Sequence, residues 1–243
     1  MFEITIPVLN EEETLRQNVL KSLDYVKEHI TNDFKIVIAD NGSTDKTQDI
    51  GEQLQKEHTE VQFLKVPRKG VGLALRTSWM ASKADVVGYM DLDLATDLSH
   101  LKQVYKLLVT ERSCEIVNGS RLLKGAVVKN RTLLREVTSR VFNFIVKNLL
   151  RARITDGMCG FKFFKRTTAV SLINTGIDLD GWFFSTEILV KGDWLRKKIT
   201  EIPVKWTDDP NSKVNVRKLS QQYFNEILRL RKEKKAFLSE YNS

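Results

Sequence analysis

The chain has 243 residues, of which 42% are hydrophobic and 29% charged, enough apolar material for one large core and too much for a disordered chain. Lys and Arg number 39 against 31 Asp and Glu, and this +8 surplus points to polyanionic partners: nucleic acid, phosphorylated small molecules or an acidic membrane surface. Cys114 and Cys159 lie in no C-x-x-C pair and near no histidine cluster, which favours two reduced thiols and fits a reducing, cytoplasmic compartment.

Residues 2–7 are short and β-branched, a first strand; Glu3 and Asn10 interrupt the apolar start, so no signal peptide is expected. Asn10 and Glu13 form a capping-box pattern ahead of Leu15, Val19, Leu23, Val26 and Ile30, which recur at helical spacing. Strands follow at 35–40, 61–66 and 85–90, separated by helices at 44–57 and 71–82. A further helix carries Leu98, Leu101, Val104, Tyr105 and Leu108, and 115–120 reads as another strand. Beyond it, 131–151 is a long basic amphipathic helix, 161–164 and 199–206 are strands, and 216–238 is a helical tail. The apolar stretch 133–150 is broken by Arg135, Glu136, Arg140 and Lys147, and so falls short of the ~20 apolar residues a membrane crossing takes.

Strands alternating with helices predict βαβ units and a parallel sheet, with ligands bound beyond the carboxyl ends of the strands. The polar clusters 7–12, 40–45 and 91–97 fall there. Asp91 and Asp93 lie on one side of a strand end, about 7 Å apart along a strand and closer where the chain turns. Such a pair suits Mg²⁺ or Mn²⁺, hard cations that also take water and phosphate oxygens. Asp40-Asn41-Gly42-Ser43-Thr44-Asp45 makes a turn and a helix cap, and its first carboxylate also suits a nucleobase N–H. Lys69-Gly70-Val71-Gly72 offers a phosphate the start of a helix, although neither G-x-x-x-x-G-K-[ST] nor G-x-G-x-x-G is present.

The ordered set formed by Pro7-Val8-Leu9-Asn10-Glu11, the Asp40 loop, Lys69-Gly-x-Gly and Asp91-x-Asp93 resembles family 2 glycosyltransferases of the GT-A fold. Gly119-Ser-Arg121, Arg135-x-x-x-Ser139, Asp156-x-x-x-Gly160-Phe161, the 187–192 segment, Glu201-Ile-Pro-Val and Ser212-Lys213 narrow it. They resemble dolichol-phosphate mannose synthases and related polyprenyl-phosphate glycosyltransferases. The likeness spans residues 2–214. It implies a Rossmann-like α/β fold with a mixed, mostly parallel sheet flanked by helices, on a domain of residues 1–215, with 216–243 as a basic helix of the same domain or at its periphery.

The resemblance further implies that Pro7, Leu9, Asn10, Glu11, Asp40 and Ser43 hold the nucleotide, with Lys69 near its phosphates. Asp91 and Asp93 would hold the metal, Arg121 would face the donor sugar or phosphates, and Arg135, Ser139 and Lys213 the lipid phosphate. The chain departs from the mannose synthases at Ala95, where their glutamine is missing, and at Leu9, where an aromatic is usual.

The activity so implied is inverting transfer of a hexose from a nucleotide sugar, of GDP-mannose or UDP-glucose type, to a polyprenyl phosphate. The alternative acceptor is a saccharide hydroxyl, which needs a carboxylate base, Asp156 or Glu187. A nucleotidyltransferase would carry a Gly-rich basic loop where this chain has the acidic PVLNEE, and a nucleic-acid binder would leave Asp91 and Asp93 unexplained. The tail aligns Leu219, Tyr223, Ile227 and Leu230 beside Arg229, Arg231, Lys232, Lys234 and Lys235. It is expected to meet the cytoplasmic face of a membrane, to bind a membrane-spanning partner subunit, or to pack on the domain.

Overall fold

Residues 1–208 and 216–241 are described by a computed structural model. Strands β1 (Phe2–Val8), β2 (Phe34–Asp40), β3 (Val61–Lys65) and β4 (Val86–Met90) run parallel, joined by α1 (Leu15–His29), α2 (Thr47–Glu57) and α3 (Val71–Ala81). β4 is buried throughout, and β1 and β2 nearly so, which is why they read as continuous apolar runs rather than as alternation. Helix α1 turns Leu15, Val19, Leu23 and Val26 onto the sheet, a spacing that keeps them on one stripe.

The second half continues with α4 (His100–Tyr105), extended by a π-helical turn (Lys106–Thr110), then β5 (Ile116–Ser120), β6 (Val127–Lys129) and α5 (Leu133–Leu149). It closes with β7 (Phe161–Lys165), α6 (Arg166–Ile173), α7 (Phe184–Trp194), β8 (Ile199–Pro203), β9 (Lys205–Thr207) and α8 (Val216–Tyr241). The main sheet has the order β3-β2-β1-β4-β7-β5-β8, and β7 lies antiparallel between β4 and β5. The mixed, mostly parallel sheet expected from the sequence is therefore present. The carboxyl ends of β1, β2, β4 and β5 share one edge with the start of β7, and the candidate site residues on these strands fall there.

Two local expectations are corrected, and for the tail one of the expected alternatives, packing on the domain, is the one found. Asn10 does not cap α1: its φ is 57°, its side chain goes to the next loop, and Thr14 occupies the cap position. The single strand at 199–206 is two strands, because Pro203 has no N–H to continue the ladder and the chain steps across to pair β9 with β6. The tail helix buries Tyr223, Ile227 and Leu230 against the body, so this stripe faces the core rather than a membrane. The side chain of Leu219 lies outside the described residues. Cys114 and Cys159 are both buried and unpaired.

Candidate active site

The two aspartates sit where β4 ends. Asp91 closes the strand, its N–H donating to the Gly160 carbonyl at 3.2 Å, and Leu94 donates back to the Asp91 carbonyl in a tight turn. Leu94 adopts φ 54°, a left-handed conformation costly for a branched residue, and the turn brings Asp93 round to solvent. Asp93 accepts from the Ala95 N–H at 2.9 Å, while Asp91 Oδ1 is buried and accepts no hydrogen bond. Burial and then the charge of Asp93 push the Asp91 carboxyl up to about 7, against Lys162 and Arg121, which draw it down. A Cβ at Gly160 would collide with the Asp91 carboxylate, so only glycine leaves room for it there.

An orphaned buried oxygen beside a second carboxylate fits a divalent cation, whose charge would offset both. Among the described residues no third His, Cys, Asp or Glu joins them, so water and ligand oxygens would complete such a shell.

The loops after β1 and β2 interlock at the same edge. Asn10 N–H donates to Ser43 Oγ at 2.9 Å, Thr44 N–H to Asn10 Oδ1 at 2.8 Å, and Glu11 N–H to Thr47 Oγ1 at 2.8 Å. Asp40 Oδ1 accepts from both the Ser43 N–H and its hydroxyl, which fixes the carboxylate and leaves Oδ2 buried with no donor. A buried acceptor held in place and lacking a donor is what a base N–H would satisfy. Pro7 and Leu9 border this cradle at the end of β1, both partly exposed.

At the end of β5 Arg121 reaches Asp156 through two bonds, Nε to Oδ2 at 2.8 Å and Nη2 to Oδ1 at 3.0 Å. Burial alone would raise the Asp156 carboxyl, but the Arg121 charge wins and holds it down at about 2. The Arg121 guanidinium stacks on the Trp206 ring at 5.1 Å, and Arg131 lies over the same ring at 5.7 Å. Arg135, in the first turn of α5, pairs with Asp208 at 2.6 Å, and Ser139 one turn on is buried with its Oγ unpartnered. Arg121, Arg131 and Arg135, the first two over Trp206, thus make a row of arginines leading from the sheet edge to α5, each guanidinium held by a carboxylate: Asp156, Glu136 and Asp208.

Other expected residues are placed differently. Asn41 Oδ1 accepts from Gly70 N–H, tying the Lys69 loop to the Asp40 loop, and Lys69 is exposed. The first amides of α3 are not open to a phosphate, because Gly72 and Leu73 N–H both donate to the Asp180 carbonyl. Glu187 is buried between Lys191 at 3.0 Å and Arg229 at 2.6 Å, tying α7 to α8. Ser212 and Lys213 lie outside the described residues.

Lys162, Trp206 and Asp208 escaped the sequence reading. Lys162 is fully buried on β7, donates to the Tyr89 hydroxyl at 3.3 Å and to the Cys159 carbonyl, and is pulled down to about 8 by burial. Its signal was a lysine set among three phenylalanines in a buried strand.

A glycosyltransferase AglD of Haloferax volcanii is 30% identical over 215 residues, 88% of this chain but 34% of that protein. This chain thus spans about a third of the length of that relative. A dolichyl-phosphate beta-glucosyltransferase of Dictyostelium discoideum is 28% identical over 239 residues, 94% of this chain and 73% of that protein. The fold is similar to that of glucosyl-3-phosphoglycerate synthase from Mycobacterium tuberculosis, solved with Mn²⁺, UDP and glucosyl-3-phosphoglycerate. The TM-score is 0.69 at 18% identity, covering 95% of this chain and 79% of that one. The family model of glycosyl transferase family 2 matches residues 3–170, running from β1 through the aspartate pair and the Arg121–Asp156 bridge into α6. The chain belongs to glycosyl transferase family 2.

Proposed function

We propose that this domain transfers a hexose from a nucleotide sugar to a polyprenyl phosphate, with inversion at the sugar carbon. The observation that carries it is the row of carboxylate-held arginines from Arg121 through Arg131 to Arg135, which ends beside buried Ser139 with its Oγ unpartnered. Guanidinium groups and a hydroxyl suit a phosphate acceptor, and the Arg fork can hold two of its oxygens. The named relatives and neighbours that state a sugar state glucose, so of the two donors the proposal takes UDP-glucose.

In this mechanism Asp40 Oδ2 accepts a base N–H while the loop at 9–11 and Ser43 hold the nucleoside. Asp91 and Asp93 would hold a divalent cation, Mg²⁺ or Mn²⁺, which would supply neutralisation of diphosphate charge. Arg121, fixed by Asp156, faces the same phosphates, and its permanent charge stabilises the departing nucleoside diphosphate. The acceptor phosphate has a second pKa of about 6, so it arrives largely as a dianion and needs no base. One of its oxygens attacks the anomeric carbon from the face opposite the leaving diphosphate, forming the new C–O bond as the old one breaks. A hydroxyl acceptor would need a carboxylate ready to take a proton, and both Asp156 and Glu187 are held in ion pairs.

The test is incubation with radiolabelled UDP-glucose or GDP-mannose and divalent metal, with and without a short-chain polyprenyl phosphate. Label moving into the lipid fraction from UDP-glucose alone, and only with the phosphate, is the expected result. Transfer to a free glycan but to no lipid phosphate would overturn the proposal.

A further inference from the structure

We propose that the outward face of α5 rests on an anionic lipid bilayer and so brings the acceptor end of the site to the membrane surface. This deepens the polyprenyl-phosphate reading and rests on it.

Leu133, Leu134, Val137, Val141 and Phe144 are all exposed on this one helix, Leu133 at 80% and Phe144 at 67%. Positions 133, 137, 141 and 144 advance by four, four and three residues, which keeps them on one side of a helix, and 134 adjoins them. The opposite side is the buried one, holding Ser139, Phe142, Asn143 and Val146. Over 17 residues the helix is about 25 Å long, so the apolar stripe extends across a surface and is not a single stray side chain.

Charge argues for the occupant. Arg140 and Lys147 are exposed and flank the stripe, and Lys129 precedes the helix, exposed as well. The helix's one acid, Glu136, is taken by Arg131 at 2.7 Å and Arg140 at 2.6 Å. An apolar stripe edged by cations suits acyl chains below and acidic headgroups at the rim. α8, the other basic amphipathic helix, buries Tyr223, Ile227, Leu230 and Phe237 in the core. Among the described residues, α5 alone carries the proposed acceptor residues Arg135 and Ser139 on one side and an uncovered apolar stripe on the other.

Vesicle sedimentation of the whole chain tests this, with phosphatidylcholine vesicles and vesicles containing phosphatidylglycerol, at low and high salt. Wild-type protein is expected to bind the anionic vesicles, less so in high salt. The double variant Val141→Glu/Phe144→Glu, in exposed positions, is expected to lose at least tenfold in binding. Lys232→Glu/Lys235→Glu on α8 is expected to bind within about threefold of wild type. With a short water-soluble polyprenyl phosphate the α5 variant keeps wild-type turnover; with a long-chain acceptor in vesicles it falls at least tenfold. Equal sedimentation of wild type and the α5 variant would overturn the proposal. So would a wild-type dimer in size-exclusion chromatography that the α5 variant reduces to monomer, since the stripe would then belong to a second copy. Failure to glycosylate even the soluble acceptor would instead sink the proposed activity, and the vesicle result would stand apart from it.

Discussion

Arg121 grips Asp156 through two hydrogen bonds, at 2.8 and 3.0 Å, and the pair decides the role of each partner. Asp156 is buried with no exposed side-chain surface, yet its carboxyl sits near 2 because the guanidinium outweighs burial. It stays charged at neutral pH and takes no proton. Arg121 stays charged too, held at a fixed angle over Trp206.

Stability should therefore fall in acid. The folded carboxyl titrates below its ordinary value of 3.8, so its contribution is complete above pH 4 and lost as pH drops towards 2. The size is of order 2 kcal/mol. Urea denaturation between pH 5 and pH 2.5 checks this: Asp156→Asn should flatten that part of the profile while costing about 3 kcal/mol or more at pH 7, where Arg121 is left buried without its partner. A wild-type slope in the variant would remove Asp156 as the cause.

Metal binding should be visible without catalysis. Mn²⁺ is expected to raise the melting temperature of wild-type protein, and Asp93→Asn to abolish that rise while the fold persists, because Asp93 is exposed. Gly160→Ala should weaken the response as well, since the added methyl presses on the Asp91 carboxylate. Transfer should drop by roughly 100-fold or more in Asp93→Asn, several kcal/mol of lost transition-state stabilisation. Full activity after EDTA treatment would contradict it.

Arg135→Ala should raise the KM for polyprenyl phosphate about 10-fold or more and leave that for the nucleotide sugar nearly unchanged. Arg135→Lys should restore only part, because an ammonium lacks the planar fork. Steady-state kinetics with each substrate varied in turn separates the two effects. Equal changes in both KM values would move Arg135 to the donor side.

Arg229→Ala should loosen α8. Glu187 is 1% exposed and keeps Lys191 when Arg229 is removed, so the expected loss is about 2 kcal/mol rather than that of a fully stranded charge. Hydrogen exchange should show the loss centred on α7 and α8. Unchanged protection there would mean the pair holds nothing.

The parallel half of the fold was legible because each strand and helix there obeys its own period, and the loops carrying Asp40 and Asp91 follow from that alternation. The second half was harder to read. α7 is buried at every position and so shows no apolar stripe, and β9 is three residues long and pairs in a separate sheet. Trp206 looked like the end of a strand, although its importance comes from Arg121 and Arg131, distant in sequence. Asn10 read as a cap because cap and cradle use the same chemistry, a side-chain oxygen accepting a backbone N–H; only the fold tells which amide it finds. Lys162 was hidden by its neighbours: within a buried strand, alternation gave no reason to expect a charge pointing inward.

The burial of Glu187 makes the tail a keystone. A chain trimmed within 209–215 would uncover the seats of Tyr223, Ile227, Leu230 and Phe237 and leave Glu187 with Lys191 alone. Such a fragment would keep Asp40, Asp91, Asp93, Arg121 and Arg135 and still present a raw apolar wound, prone to clumping. The stretch that must fold together is longer than the stretch that reacts, and a minimal enzyme drawn around the aspartates and arginines would be too short to stand.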